Sequence, residues 1–216
     1  VGNAAFRSLL EVRKEKTYEE FVAEQLTTEC LRYMYRLLFL LYVEARPGLG
    51  YAPMDSDEYL SGYSVEHLRD LELMELTTEE SKEGFYIHHS LQRLFSLVFN
   101  GYPDAQGDGR VRGGDGQVRV DFGGERSEED AGGEAPKRNT FQIEPLRSHL
   151  FDPERTPLLG KVKFRNEVLQ KVIRLMSLSD PDRRSSTERI SYAALGIGQL
   201  GAVYEALLSY SGFFAV

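Results

Sequence analysis

An all-α fold, an irregular helical bundle around one central buried helix, is what this sequence predicts. Two observations carry that prediction. Apolar residues recur at i, i+3 and i+4 in stretch after stretch, the spacing of a helix stripe. Within one run, 18–46, the part from Cys30 to Val43 is apolar nearly all round, as expected of a helix enclosed by its neighbours. Helices carry nearly all of the periodic signal, so a small β-hairpin is the most strand structure expected. No internal repeat is present, and a single helical domain over 1–216 is expected.

The elements follow in order. Phe6, Leu9, Leu10 and Val12 form a short apolar patch suited to packing on the central helix. Thr17 and Glu20 have the spacing of a capping box at the start of that helix. Arg46-Pro47-Gly48 stops it, because proline lacks the N–H and clashes with the preceding turn. Within it Leu31, Met34, Leu38 and Leu41 are expected on one face and Tyr35, Phe39 and Tyr42 on another. Residues 47–63 read as a long loop carrying Tyr51, Tyr59 and Tyr63.

Ser64 is an N-cap candidate for a helix with Val65, Leu68, Leu71 and Met74 on its stripe. A polar break, TTEESKEG, separates it from a helix over 85–100 with Ile87, Leu91, Leu94, Phe95 and Val98 inward and Gly101 as its stop. Residues 103–138 form a Gly-rich, acidic insertion expected to be mobile, since it lacks apolar surface to offset its ordering entropy. Inside it, 117–122 alternates and pairs on paper with 110–112.

Beyond the insertion, 139–144 reads as a short extended piece ended by Pro145. Leu146, Leu150 and Phe151 are expected to anchor a turn. A helix over 166–178 places Val168, Leu169, Val172, Ile173 and Met176 inward and Arg165, Lys171 and Arg174 outward. A last helix over 198–210 has Leu200, Val203, Tyr204, Leu207 and Leu208 as its expected packing stripe.

Composition narrows the function classes. Cys30 is the only cysteine, so no intrachain disulfide and no cysteine-based zinc site can form; it is expected to be a small buried hydrophobe in a reducing cytoplasm. No signal peptide or transmembrane run is evident. The chain begins at Val1 and closes on Phe213-Phe214-Ala215-Val216, which reads as a piece of a longer polypeptide. A net charge of −8 argues against a nucleic-acid binder held by global electrostatics.

The charge is uneven, however. Between Arg155 and Arg189 nine basic residues face four acidic ones. Lys161, Lys163, Arg165, Lys171, Arg174, Arg183 and Arg184 are therefore the candidates for contact with a DNA backbone, where several cations displace condensed counterions. The same residues also read as the solvated face of an amphipathic helix.

No catalytic, cofactor-binding or metal-binding residue is legible. His88 and His89 are adjacent, about 100° apart on a helix, which is poor geometry for one metal. The Gly-Asp stretches 107–109 and 113–116 lack the frame of a phosphate or calcium loop. Arg32, Arg36 and Glu44 are expected to form a buried polar network, with Glu29 within reach of Arg32.

Two segments carry a family resemblance. LRYMYRLLFLLYVEAR (31–46) resembles the "YRLLFLLYAE-R" helix ahead of the methylase domain in type IIG-like restriction–modification enzymes and in the BREX and DISARM phage-defence methylases. ISYAALGIGQLGAVYEALLSY (190–210) resembles their "Y--L----LG-IYE-LL-Y" segment, and LFDP (150–153) and TPLL (156–159) resemble their connector.

The resemblance implies a DNA adenine-N6 methyltransferase that uses S-adenosylmethionine. In that family the donor loop and the Asn/Asp-Pro-Pro-Tyr motif lie after the second segment, and this sequence contains no Pro-Pro. The implied methylase domain and its S-adenosylmethionine site would lie beyond Val216. The expected role of this chain is then a scaffold with DNA-backbone contacts and no catalysis of its own. The rival reading is a helical protein-interaction module unrelated to DNA.

Overall fold

The computed structural model describes residues 2, 4–5, 20–103, 141–179 and 188–210. It is all-α, with seven helices and several 3-10 turns among the described residues. The predicted Thr17 cap, the 103–138 insertion after Pro103, its hairpin, and Arg183 and Arg184 lie outside those residues.

Helix α1 (Glu20–Glu44) is the expected central helix, and Pro47 begins a 3-10 turn at the predicted stop. Its deepest line differs from both expected faces. Leu26, Cys30, Tyr33, Leu37, Leu40 and Leu41 are buried, while Leu31, Met34, Tyr35 and Phe39 are only partly covered. The buried line repeats at three- and four-residue steps and flanks the Leu31/Leu38 face on the side away from Tyr35 and Phe39. Leu38, Leu41 and Tyr42 of the expected faces are buried too, because neighbours enclose the helix on more than one side. Cys30 is buried as expected, and burial pushes its thiol up to about 11.

Two short helices occupy segments predicted to be irregular. Helix α2 (Asp57–Gly62) lies inside the supposed 47–63 loop, capped by the Ser56 hydroxyl accepting from Tyr59 N–H, with Asp57 and Glu58 favouring the positive end of its dipole. Only Tyr59 is buried on it, too little apolar periodicity to announce a helix. Helix α3 (Val65–Asp70) follows, with Ser64 as its cap as predicted, and Met74 lies beyond it, exposed. Helix α4 (Glu79–Glu83) sits in the polar break, held by a reciprocal Thr78–Ser81 cap and burying nothing.

Helix α5 (Tyr86–Asn100) buries Ile87, Leu91, Leu94, Phe95 and Val98 as expected, together with His88 and Leu97. Gly101 ends it at φ +85°, where a side chain would be strained and would meet the Ile143 carbonyl at 3.0 Å. The extended piece survives as one antiparallel bridge, Tyr102 to Ile143. Helix α6 (Asn166–Ser177) packs Leu169, Val172 and Ile173 inward and leaves Lys171 and Arg174 exposed.

The last helix, α7 (Ile197–Leu208), corrects its expected stripe. Leu200 is buried, but Val203 and Tyr204 are 38% and 39% exposed and Ile197 is 78% exposed. Periodicity reports a helix's apolar face; it does not say whether anything covers that face. No helix among the described residues is long and apolar enough to cross a membrane.

Candidate nucleic-acid interface

The sequence Lys161-Val162-Lys163-Phe164-Arg165 alternates; Lys161 closes a 3-10 turn, and the backbone is extended at Val162 and at Arg165. Val162 and Phe164 are therefore buried, and Lys161, Lys163 and Arg165 stand in one exposed row. Side chains two apart on an extended strand are roughly 6–7 Å apart, similar to the step between successive phosphates of a nucleic-acid strand.

The row is pinned from below. Phe164 lies against Tyr33 at 5.6 Å and His88 at 6.1 Å between ring centroids, and its N–H donates to His88 Nδ1 at 3.5 Å. Asn166 N–H donates to the Gly84 carbonyl at 2.8 Å, and its side-chain oxygen accepts from Ile87 N–H at 3.1 Å. Its amide also donates to the Ser81 carbonyl at 2.9 Å.

The remaining candidates divide. Lys171 and Arg174 sit on the outer face of α6, a second exposed basic surface, with Glu167 four residues before Lys171. Of the basic segment, Arg155 pairs with Asp152 at 3.7 Å, Arg165 with Glu83 at 3.1 Å, and Arg189 with Asp70 at 3.0 Å and Glu66 at 3.4 Å. Among the described residues Lys161, Lys163, Lys171 and Arg174 carry no ion pair. The local positive excess is smaller in space than along the chain.

The polar residues of α1 do not form one network. Glu29, Arg32 and Arg36 clamp the 150–159 connector, while Glu44 and Arg46 close on other segments. Arg36 donates to the carbonyls of Leu150 at 2.6 Å and Asp152 at 3.0 Å, with its guanidinium 5.5 Å from the Phe95 ring centroid. Arg32 reaches the Arg155 carbonyl at 2.6 Å rather than Glu29, whose carboxylate accepts from Leu158 and Leu159 N–H at 2.9 and 2.8 Å. Glu44 accepts from Tyr59 OH, Val65 N–H and Glu66 N–H at 2.8–2.9 Å, capping α3 from across the core. Arg46 donates to the carbonyls of Ala193, at 2.9 Å, and Leu195.

Burial sets the acid–base behaviour of these groups. It raises Glu44 to about 7 despite its three donors. It lowers Arg36 to about 10 and His88 to about 4, the latter helped by His89 and Lys163.

An open groove of about 680 Å³ lies between Pro47 and Glu58, with Phe141 and Gln142 also lining it. No cluster of three potential metal ligands occurs among the described residues. Their only β-structure is two isolated bridges, Tyr102 to Ile143 and Leu178 to Arg189.

Sequence reasoning missed that the exposed Phe85 and Tyr86 follow directly on Glu83 and Gly84, which Arg165 and Asn166 engage from the end of the basic run. The signal for the row itself was present in the alternation of 161–165. In comparisons with known proteins, no family model, no curated protein and no solved structure matches this chain.

Proposed function

We propose that this chain is the helical scaffold preceding the methylase domain of a DNA adenine-N6 methyltransferase of the restriction or phage-defence type. S-adenosylmethionine would bind in the methylase domain expected after Val216. The scaffold braces that domain and offers the exposed basic row to the DNA backbone.

What supports the reading is that the segments bearing the resemblance form one physical unit. Arg36 ties α1 to the connector at Leu150 and Asp152. Arg46 ties it to Ala193 and Leu195, and Tyr35 lies against Tyr204 at 4.5 Å between ring centroids. Such pairings give a reason for these helices to keep their order and spacing.

Binding of this chain to a labelled duplex, at about 50 and 150 mM salt, tests the DNA contact. Reversal of Lys161, Lys163, Lys171 and Arg174 to Glu should abolish detectable binding, and affinity should fall steeply with salt for the wild type. Equal affinity of wild type and variant would end that part of the reading. Methyl transfer to adenine by the parent polypeptide tests the rest.

The uncovered face of α7 favours a second reading, a protein-interaction module without DNA contact. That reading expects no duplex binding and loss of partner capture when Ile197 and Val203 become Asp.

A further inference from the structure

Phe85 and Tyr86 are 38% and 54% exposed at the start of α5, although the next residues, Ile87 and His88, are buried. Two adjacent rings at the rim of the core thus present much of their surface to water. His89 is exposed beside them, 6.5 Å from the Phe85 ring.

The neighbours of these rings come from far along the chain. Gly84 accepts from Asn166 N–H at 2.8 Å, and Arg165 reaches Glu83 at 3.1 Å, so the end of the basic row abuts the residue before Phe85. Lys163 stands close enough to His88 for its charge to be felt there. Aromatic faces beside a row of cations at phosphate-like spacing are the two components that hold unpaired nucleic acid: bases stack on rings while cations follow the backbone. A paired duplex satisfies the cations alone, because its base faces are covered by neighbouring pairs.

We propose that this edge binds an unpaired stretch of DNA, with Lys161, Lys163 and Arg165 on successive phosphates and Phe85 and Tyr86 stacked on bases. The inference deepens the DNA reading above and rests on it for the choice of DNA as ligand. Arg165 is shared with Glu83, which gives the proposal a test of opposite sign. Releasing the guanidinium by Glu83→Gln should strengthen binding.

Fluorescence polarisation with a labelled oligothymidylate of about 20 nucleotides, beside a labelled duplex hairpin, makes the measurement. Replacing both Phe85 and Tyr86 with Ala should weaken oligothymidylate binding about five- to hundredfold and leave duplex binding unchanged. Tyr86→Phe should bind like wild type, and Glu83→Gln about two- to fivefold tighter, with unchanged melting temperatures certifying the fold.

Equal oligothymidylate affinity for wild type and the double Ala variant overturns the stacking inference. If duplex binding still depends on the lysines in that case, the scaffold reading stands alone. If oligothymidylate binding needs both rings and cations while the duplex is not bound, this inference stands and the duplex contact falls. Absence of binding to either probe removes both.

Discussion

Glu44 and His88 are both held uncharged by burial, and their effects on stability run in opposite directions with pH. Glu44 is raised to about 7 in the folded chain, so the native state holds its proton more tightly than the unfolded one. Its contribution is fully present below the ordinary carboxyl value and is lost as pH rises through about 7. His88 is lowered to about 4, so its contribution is present above the ordinary imidazole value and is lost as pH falls through about 4.

Between about pH 4.5 and 6.5 the two slopes oppose each other, each integrating to on the order of 3 kcal/mol. Urea unfolding across that window should be nearly flat for the wild type. Stability should rise with pH in Glu44→Gln, which keeps only the histidine slope, and fall with pH in His88→Gln. A shared slope in both variants would contradict the assignment. Arg36 belongs to the same scale. Its planar fork serves two carbonyls that a lysine cannot reach together, so Arg36→Lys should cost about 1–3 kcal/mol in urea unfolding.

At the scale of elements, helix ends and uncovered faces make separable predictions. Gly101 closes α5 in the left-handed region with Pro145 Cδ and the Ile143 carbonyl crowding the place of a Cβ at 2.9 and 3.0 Å. Gly101→Ala should therefore cost about 1–3 kcal/mol, read as a lowered melting temperature, through backbone strain and the displaced Tyr102–Ile143 bridge. Helix α7 predicts the reverse. Ile197 is so exposed that Ile197→Ser should change stability by no more than about 0.5 kcal/mol. Leu200→Ala, on the covered side of the same helix, should cost about 2–5 kcal/mol. Similar losses at the two positions would mean that the outer face is covered in solution.

For the whole molecule, α1 is the hub to which the later segments are fastened, and the fastenings are hydrogen-bonded as well as apolar. Glu29 takes the 158–159 turn, Arg36 the 150–152 turn, Glu44 the start of α3, and Arg46 the approach to α7. Each clamp aligns a backbone that has no ladder of its own, which suits a fold with scarcely any β-structure. Charged groups on the central helix thus act as attachment points. The cations left over at the surface are those proposed to meet DNA.

Helix content, the central helix and its stop, the Ser64 cap and the inward stripes of α5 and α6 were all legible in the chain, because each depends on residues within a few turns of one another. Helices α2 and α4 were not, since capping holds them more than apolar periodicity does. What only the tertiary structure decided is partnership. It showed which charged residue of α1 clamps which distant carbonyl or amide, that three of the segment's arginines are engaged by carboxylates, and that the α7 stripe is left open. It also joined Glu83 and Gly84, which directly precede Phe85, to Arg165 and Asn166. The physical reason is that periodicity is a property of one helix, whereas a contact between residues some eighty positions apart exists only once other elements have packed between them.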